Sequence, residues 1–299
     1  MKLWHDMARR LTQDIPVWQV VFMAFLGFDI AITSIAPASV EANDISAGAL
    51  LVVVFIASIF LLTRTFMTRI ASGHQQLKPV SANPAPVSPG LLKMYRIALP
   101  VMRYGVFVII WLALTGGFSS LVDYLLPSFS SDQDIGIPSQ DLNVWAAAGI
   151  AFLGCLEEYW RWSMIVVLLM GVKWAAAAKW ATSARFRTLS LVGAVAASSL
   201  VFGLAHYQEF SSYKAWSFIV LGIMGALLAL AAILTRRFLV AVLIHYTYDF
   251  LAISNLYSVV GPYLVITALV LLAVAVPGFL VLLAKVRPAL PSAQVEPTE

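Results

Sequence analysis

Two adjacent glutamates, an arginine, two histidines and an aspartate interrupt stretches that are otherwise apolar enough to cross a bilayer. Glu157, Glu158 and Arg161 share one stretch, His206 ends the next, and His245 and Asp249 lie two stretches on. Each carboxylate or arginine at mid-bilayer costs roughly 2.5 to 3.5 kcal/mol, so four left unpaired would cost on the order of 12 kcal/mol, comparable to the stability of a whole fold. They must therefore meet one another, or water, inside a helix bundle, and such a cluster reads as a functional site. The groups are those that relay protons, activate water or hold a metal ion.

Spacing sharpens this reading. On a helix, residues four apart share a face, and three such pairs recur: Glu157 with Arg161, Phe202 with His206, and His245 with Asp249. The chain has four histidines; His5 and His74 fall outside the apolar stretches and the other two fall in these pairs.

The elements that must position these pairs are transmembrane helices. With 61% hydrophobic and 11% charged residues and a mean hydropathy of +0.88, the chain is an all-α, polytopic transmembrane helical bundle. About eight spans are expected, near 16–36, 46–66, 98–121, 144–171, 188–206, 214–234, 238–256 and 260–284. The net charge of +4 needs no nucleic-acid partner, because basic residues sort into alternate loops. Arg9 and Arg10, Arg64 to Arg96, Lys173 to Arg187, Arg236 and Arg237, and Lys285 and Arg287 mark one side; Glu41, Asp44, Asp123, Asp132, Asp134 and Asp141 mark the other. By the positive-inside rule the protein is a multi-pass cell-membrane protein with both termini cytoplasmic. Its partners are then the lipid bilayer and whatever enters the cluster.

Residues 1–71 read as an N-terminal transmembrane hairpin, and 72–92, with Pro79, Pro84, Pro86 and Pro89, as a proline-rich cytoplasmic linker. Residues 93–287 form the core that holds every motif, and 288–299 a polar, disordered tail. Cys155 is the single cysteine and forms no internal disulfide.

At this point the motifs resemble a known family, the CAAX prenyl protease and bacteriocin-processing (CPBP, or Abi) intramembrane proteases. The family signature is Glu-Glu-x-x-x-Arg, then Phe-x-x-x-His, then His-x-x-x-Asn or Asp on a later helix. Here the second stands as Phe202-Gly203-Leu204-Ala205-His206 and the third as His245-Tyr246-Thr247-Tyr248-Asp249, with Gly222 and Gly225 on the helix between. The likeness covers about residues 140–255. The first motif, Glu157-Glu158-Tyr159-Trp160-Arg161, is one residue shorter than the family form. Matching the glutamates puts Trp162 where the arginine belongs; matching Arg161 puts Glu157 in the second-glutamate place and Leu156 in the first. The family's base is its first glutamate, so which carboxylate acts stays open. The reading preferred here matches the glutamates and has Arg161 reach Glu157 one turn away.

The resemblance implies hydrolysis of a peptide bond within or beside the membrane, in a protein or peptide substrate that is lipidated or not. Glutamate would activate water, and of two adjacent carboxylates one would keep a proton for the leaving amine. His206 and His245 would orient the water and the oxyanion or, with Glu157, complete a two-histidine, one-carboxylate site for a divalent metal such as Zn; no other cofactor is implied. Asp249 would fix the tautomer of His245. This is the expected function: a CAAX-protease-like endopeptidase, metalloprotease or not.

Two other functions use the same residues. A proton-coupled transporter would run His245, Asp249 and the glutamates as a relay. A catalytically silent immunity or scaffold protein would tolerate loss of both glutamates. No His-Glu-x-x-His helix, Gly-x-Ser-x-Gly elbow or phosphate-binding glycine loop is present, which disfavours a soluble-type hydrolase or an ATP-driven pump. Depth counting sets one demand on the fold: at 1.5 Å per residue, His245 falls about 10 Å from the cytoplasmic side and His206 near the opposite face. Convergence needs a kinked or displaced span.

Overall fold

The computed structural model describes residues 2–35, 62–70, 89–133, 143–254 and 256–286. Most of the expected second span, the linker as far as residue 88, the 134–142 loop and the tail lie outside the described residues.

Thirteen helices follow in the described residues. They are α1 (Lys2–Leu11), α2 (Val17–Ile35), α3 (62–70), α4 (Pro89–Pro100), α5 (Phe107–Leu125), α6 (Val144–Cys155), α7 (Glu157–Ala175), α8 (Ala177–Thr182), α9 (Ala184–Ala205), α10 (Lys214–Thr235), α11 (Phe238–Ile253), α12 (Tyr257–Val270) and α13 (Val276–Val286). Single π-helical segments, Val101–Val106 and Leu271–Ala275, join α4 to α5 and α12 to α13. No strand occurs among the described residues; one isolated bridge pairs Gln133 with Phe210.

Among the described residues, four continuous helical runs are long and apolar enough to span a bilayer: Lys93–Leu125, Ala184–Glu209, Lys214–Thr235 and Val260–Leu282. They match the expected third, fifth, sixth and eighth spans. Shorter apolar helices, Val17–Leu26 and Phe238–Ile253, match the first and seventh. The fourth span, expected as one rod over 144–171, is instead two helices broken at Leu156. There the Leu156 N–H donates to the Leu153 carbonyl at 3.1 Å, a tightened turn that ends α6, and α7 starts at once. Because α7 opens on Glu157 and Glu158, both carboxylates sit at the positive end of a helix dipole, a place that favours negative charge.

The largest core cluster joins the N-terminal helices to the motif helices. Met7 and Leu11 of α1, Met23 of α2 and Phe66 of α3 pack in one cluster with Trp162 and Ile165 of α7, Ala194 of α9, Ala232 of α10 and Phe238 of α11. The ring of Phe66 lies 5.1 Å from that of Phe238 and 6.5 Å from that of Trp162. The described parts of the N-terminal hairpin therefore wedge into the same core as the motif helices. Between α9 and α10 the approach is close enough that a Cβ on Gly203 would collide with the Phe218 carbonyl, and one on Gly222 would stand 3.3 Å from the Ser199 carbonyl. Small residues at a membrane helix crossing let backbones pack where no side chain fits. That crossing brings the end of α9 against the middle of the bundle.

Candidate active site

Glu158, at the start of α7, is wholly buried and has both oxygens engaged. Oε2 receives the Arg161 Nη2 donor, and Oε1 accepts from His245 Nδ1 at 3.0 Å. Arg161, equally buried, gives Nη1 to the Gly225 carbonyl and lies 5.3 Å above the Phe202 ring. Gly225 makes this seat possible: a Cβ there would come 2.9 Å from Arg161 Nη1 and 3.1 Å from the Phe202 ring. The expected Arg161–Glu157 pairing is thus corrected. Arg161 pairs with Glu158, three residues back, because adjacent helical residues point about 100° apart and only Glu158 faces the α9–α10–α11 interior.

His245 completes the array from α11. Its Nε2 lies 3.3 Å from Asp249 Oδ2, the i,i+4 pairing the sequence predicts, so both ring nitrogens point at carboxylates. Asp249 in turn packs on α6 at Gly154, where a Cβ would collide with its carboxylate.

His206 comes from the C-terminus of α9 and faces the other glutamate. Its Nε2 stands 3.3 Å from Glu157 Oε2 but out of line for a hydrogen bond, and this buried nitrogen has no hydrogen-bond partner among the described residues. Its Nδ1 donates to Glu209 Oε1 at 2.7 Å. Glu209 Oε2 accepts from Gln133 Nε2, also at 2.7 Å. The Phe202 ring meets both imidazoles edge-on, with centroids 4.8 Å from His206 and 5.9 Å from His245.

All six expected residues are therefore gathered at one place, and the depth problem has a simple geometry. Helix α11 runs only eight residues past His245, about 12 Å. The end of α9 reaches that level, and the break at Leu156 starts α7 there too. Accessibility separates the two glutamates: the Glu157 side chain is 29% exposed while that of Glu158 is fully buried.

The metal set Glu157, His206 and His245 is not assembled. Among the described residues no three His, Cys, Asp or Glu side chains gather so as to hold an ion. The reason is the use of the nitrogens: His245 turns both toward Glu158 and Asp249, and His206 commits Nδ1 to Glu209.

Sequence reasoning missed Glu209 and Gln133. Glu209 stands three residues after His206, a helical spacing that would have shown had the span been drawn past 206; Gln133, in a loop, carried no signal. That loop is clasped to the one after α9. The Asp132 carboxylate accepts from the Ser211 hydroxyl and from the amides of Ser212 and Tyr213, at 2.8 and 3.0 Å. The Ser211 bond, joined by these amides, holds the Asp132 carboxyl below the usual carboxylate range. Tyr213 donates its hydroxyl to the Pro127 carbonyl at 2.7 Å, and Phe129 stacks on Phe210 at 4.8 Å.

A helical bundle with membrane-spanning runs that carries carboxylates and imidazoles in its interior is a multi-pass membrane protein with a built polar site. Residues 124–251 match the family model described as type II CAAX prenyl endopeptidase Rce1-like, a segment that takes in all six clustered residues together with Gln133 and Glu209. That match, with the motifs it contains, makes the segment similar to the CAAX protease family. A protease family of this kind implies a protein substrate and a membrane environment. No curated protein and no solved structure gives a match.

Proposed function

We propose that the protein is an intramembrane endopeptidase in which Glu157 activates the water that cleaves a peptide bond. Glu157 is the carboxylate with no arginine locked to it and the one that reaches the surface. The single observation that carries the reading is its pairing with His206 Nε2, a buried nitrogen 3.3 Å away with no hydrogen-bond partner among the described residues. A water admitted as the pair opens, hydrogen-bonded to both, gives one hydrogen to each. Glu157 takes a proton as the water oxygen bonds to the scissile carbonyl carbon; the C–N bond then breaks and the same proton passes to the leaving amine. Glu158, Arg161, His245 and Asp249 form the fixed frame. They hold α7, α9, α10 and α11 in register around Phe202, so that His206 and Glu157 keep their spacing through a turnover.

The sorting of basic residues supports a cytoplasmic start for α9, with His206 and its clasped loops then toward the outer face. A substrate then approaches from that side or from within the bilayer, as a membrane-embedded or lipidated polypeptide. The test works without the substrate being identified. Membranes from cells producing the wild-type chain or Glu157→Gln are compared by mass spectrometry of polypeptide termini. New termini that depend on Glu157 are expected; identical termini in the two membranes overturn the reading.

A further inference from the structure

The turn after α9 is built around His206. His206 ends the helix, the short 3₁₀ turn Tyr207–Glu209 follows, and the Glu209 N–H donates back to the His206 carbonyl at 3.1 Å. This folds the Glu209 carboxylate over the ring it bonds through Nδ1. The second oxygen of Glu209 is not left to solvent: it takes the amide of Gln133, which arrives from 76 residues away in sequence. Gln133 is itself fixed by its backbone bridge to Phe210, by burial of Phe210 against Phe129, and by the Asp132 clasp one residue earlier. Three independent contacts thus place one amide, which places one carboxylate, which places one imidazole.

We infer that Glu209 and Gln133 are positioning residues for hydrolysis: they hold His206 with its proton on Nδ1, so that Nε2 presents a lone pair to the water shared with Glu157. The inference rests on the endopeptidase reading above. Its physical content is tautomer and orientation. A carboxylate accepts only, so a proton on Nδ1 is required at 2.7 Å, and the remaining nitrogen of a neutral imidazole is then an acceptor. Without the carboxylate the ring is free to rotate and to carry its proton on Nε2, which would turn a donor toward Glu157 and displace the shared water. Partners that orient metal-bound histidines in this way are worth about 10- to 100-fold in activity when removed, and a loss of the same order is expected for a histidine that orients water.

The chain holds few enough histidines for ring nitrogens to be followed individually by nitrogen NMR of histidine-labelled protein in nanodiscs, with His206→Asn giving the assignment. Wild type is expected to show His206 protonated at Nδ1. Glu209→Leu is expected to move the proton toward Nε2 and lower the yield of Glu157-dependent termini about 10- to 100-fold, while Glu209→Gln, which keeps an acceptor, retains the Nδ1 proton and most of the yield. The His245 signals report whether the rest of the bundle is intact. If Glu209→Leu disturbs them, Gln133→Leu serves instead, since it leaves the carboxylate in place but frees it, and a mixed tautomer with a smaller loss is expected. An unchanged tautomer in the leucine variants of an active chain overturns this inference alone, as does Glu209→Gln performing no better than Glu209→Leu. Absence of any Glu157-dependent terminus in wild type overturns the endopeptidase reading, and with it a catalytic meaning for the tautomer.

Discussion

Glu158 and His245 meet at 3.0 Å across 87 residues of sequence, and with Arg161 on the other carboxylate oxygen they form a buried array closed to further ligands. Its neighbour Glu157 looks the other way, to His206. Two adjacent carboxylates thus divide into a buried one locked to Arg161 and a part-exposed one beside His206, because a helix sends successive side chains about 100° apart; under the proposed function the first is structural and the second reactive.

That division is testable by the same substitution at each position. Glu157→Gln removes a base that is part-exposed and not locked to a cation, so cleavage is expected to fall by about 10²- to 10⁴-fold with thermal unfolding in detergent unchanged. Glu158→Gln leaves Arg161 buried beside a neutral group, and a broken buried pair costs about 3 to 5 kcal/mol, so the unfolding temperature is expected to drop. Equal stability of the two variants would show that Glu158 is not the structural member.

Arg161→Met probes the array from the other end. It strands Glu158 with His245 alone and also removes the donor to the Gly225 carbonyl, so a loss of stability of about 3 to 5 kcal/mol is expected. Adding Glu158→Leu should return part of that stability, since an apolar pair replaces an uncompensated charge, while leaving activity low. If the double variant is less stable than wild type by the full sum of the two single losses, the residues do not act as a pair.

The glycines make a finer distinction. A Cβ on Gly203 meets the Phe218 carbonyl, a backbone atom that cannot turn away, so Gly203→Ala is expected to push α9 from α10 and cost about 1 to 3 kcal/mol. A Cβ on Gly154 meets only the end of the Asp249 side chain, which can rotate. Gly154→Ala is therefore expected to keep stability within about 1 kcal/mol while displacing Asp249 from His245, seen as lower activity with unchanged unfolding.

Much of this site was legible in the sequence, for a reason visible in single residues. Hydrocarbon makes unpaired charge so costly that Glu157, Glu158, Arg161 and Asp249 had to converge, and the four-residue spacing of His245 and Asp249 carried over unchanged into the structure. What failed was local. The Arg161 partner was misread because a one-residue difference in spacing decides which of two adjacent glutamates faces inward. The fourth span was read as one rod because Leu156 is apolar like its neighbours, and nothing in its side chain marks a break. Gln133 was missed because it sits in a loop, where hydropathy carries no cost and pairing depends on tertiary approach, and Glu209 because the span was read as ending at His206 while its last turn runs on.

The loop clasp gives a pH dependence with a definite sign. The Ser211 hydroxyl and the amides of Ser212 and Tyr213 hold the Asp132 carboxyl below its ordinary value, so ionised Asp132 is favoured in the folded clasp relative to the unfolded chain. The stabilisation is then complete above the ordinary aspartate value of about 3.9, and is lost as the pH falls through the lower folded value. Protection of the Ser212 and Tyr213 amides against hydrogen exchange, corrected for the intrinsic rate, is expected to hold steady down to about pH 4 and then collapse. Asp132→Asn should show low protection at every pH, because an amide offers one acceptor where the carboxylate serves three donors. Since Gln133 follows Asp132 directly, the same acid step should loosen its hold on Glu209 and be accompanied by a change in the His206 ring-nitrogen signals. Protection that stays constant through the acid range in wild type, or that fails already near neutral pH, would show that the carboxylate is not what closes the two loops.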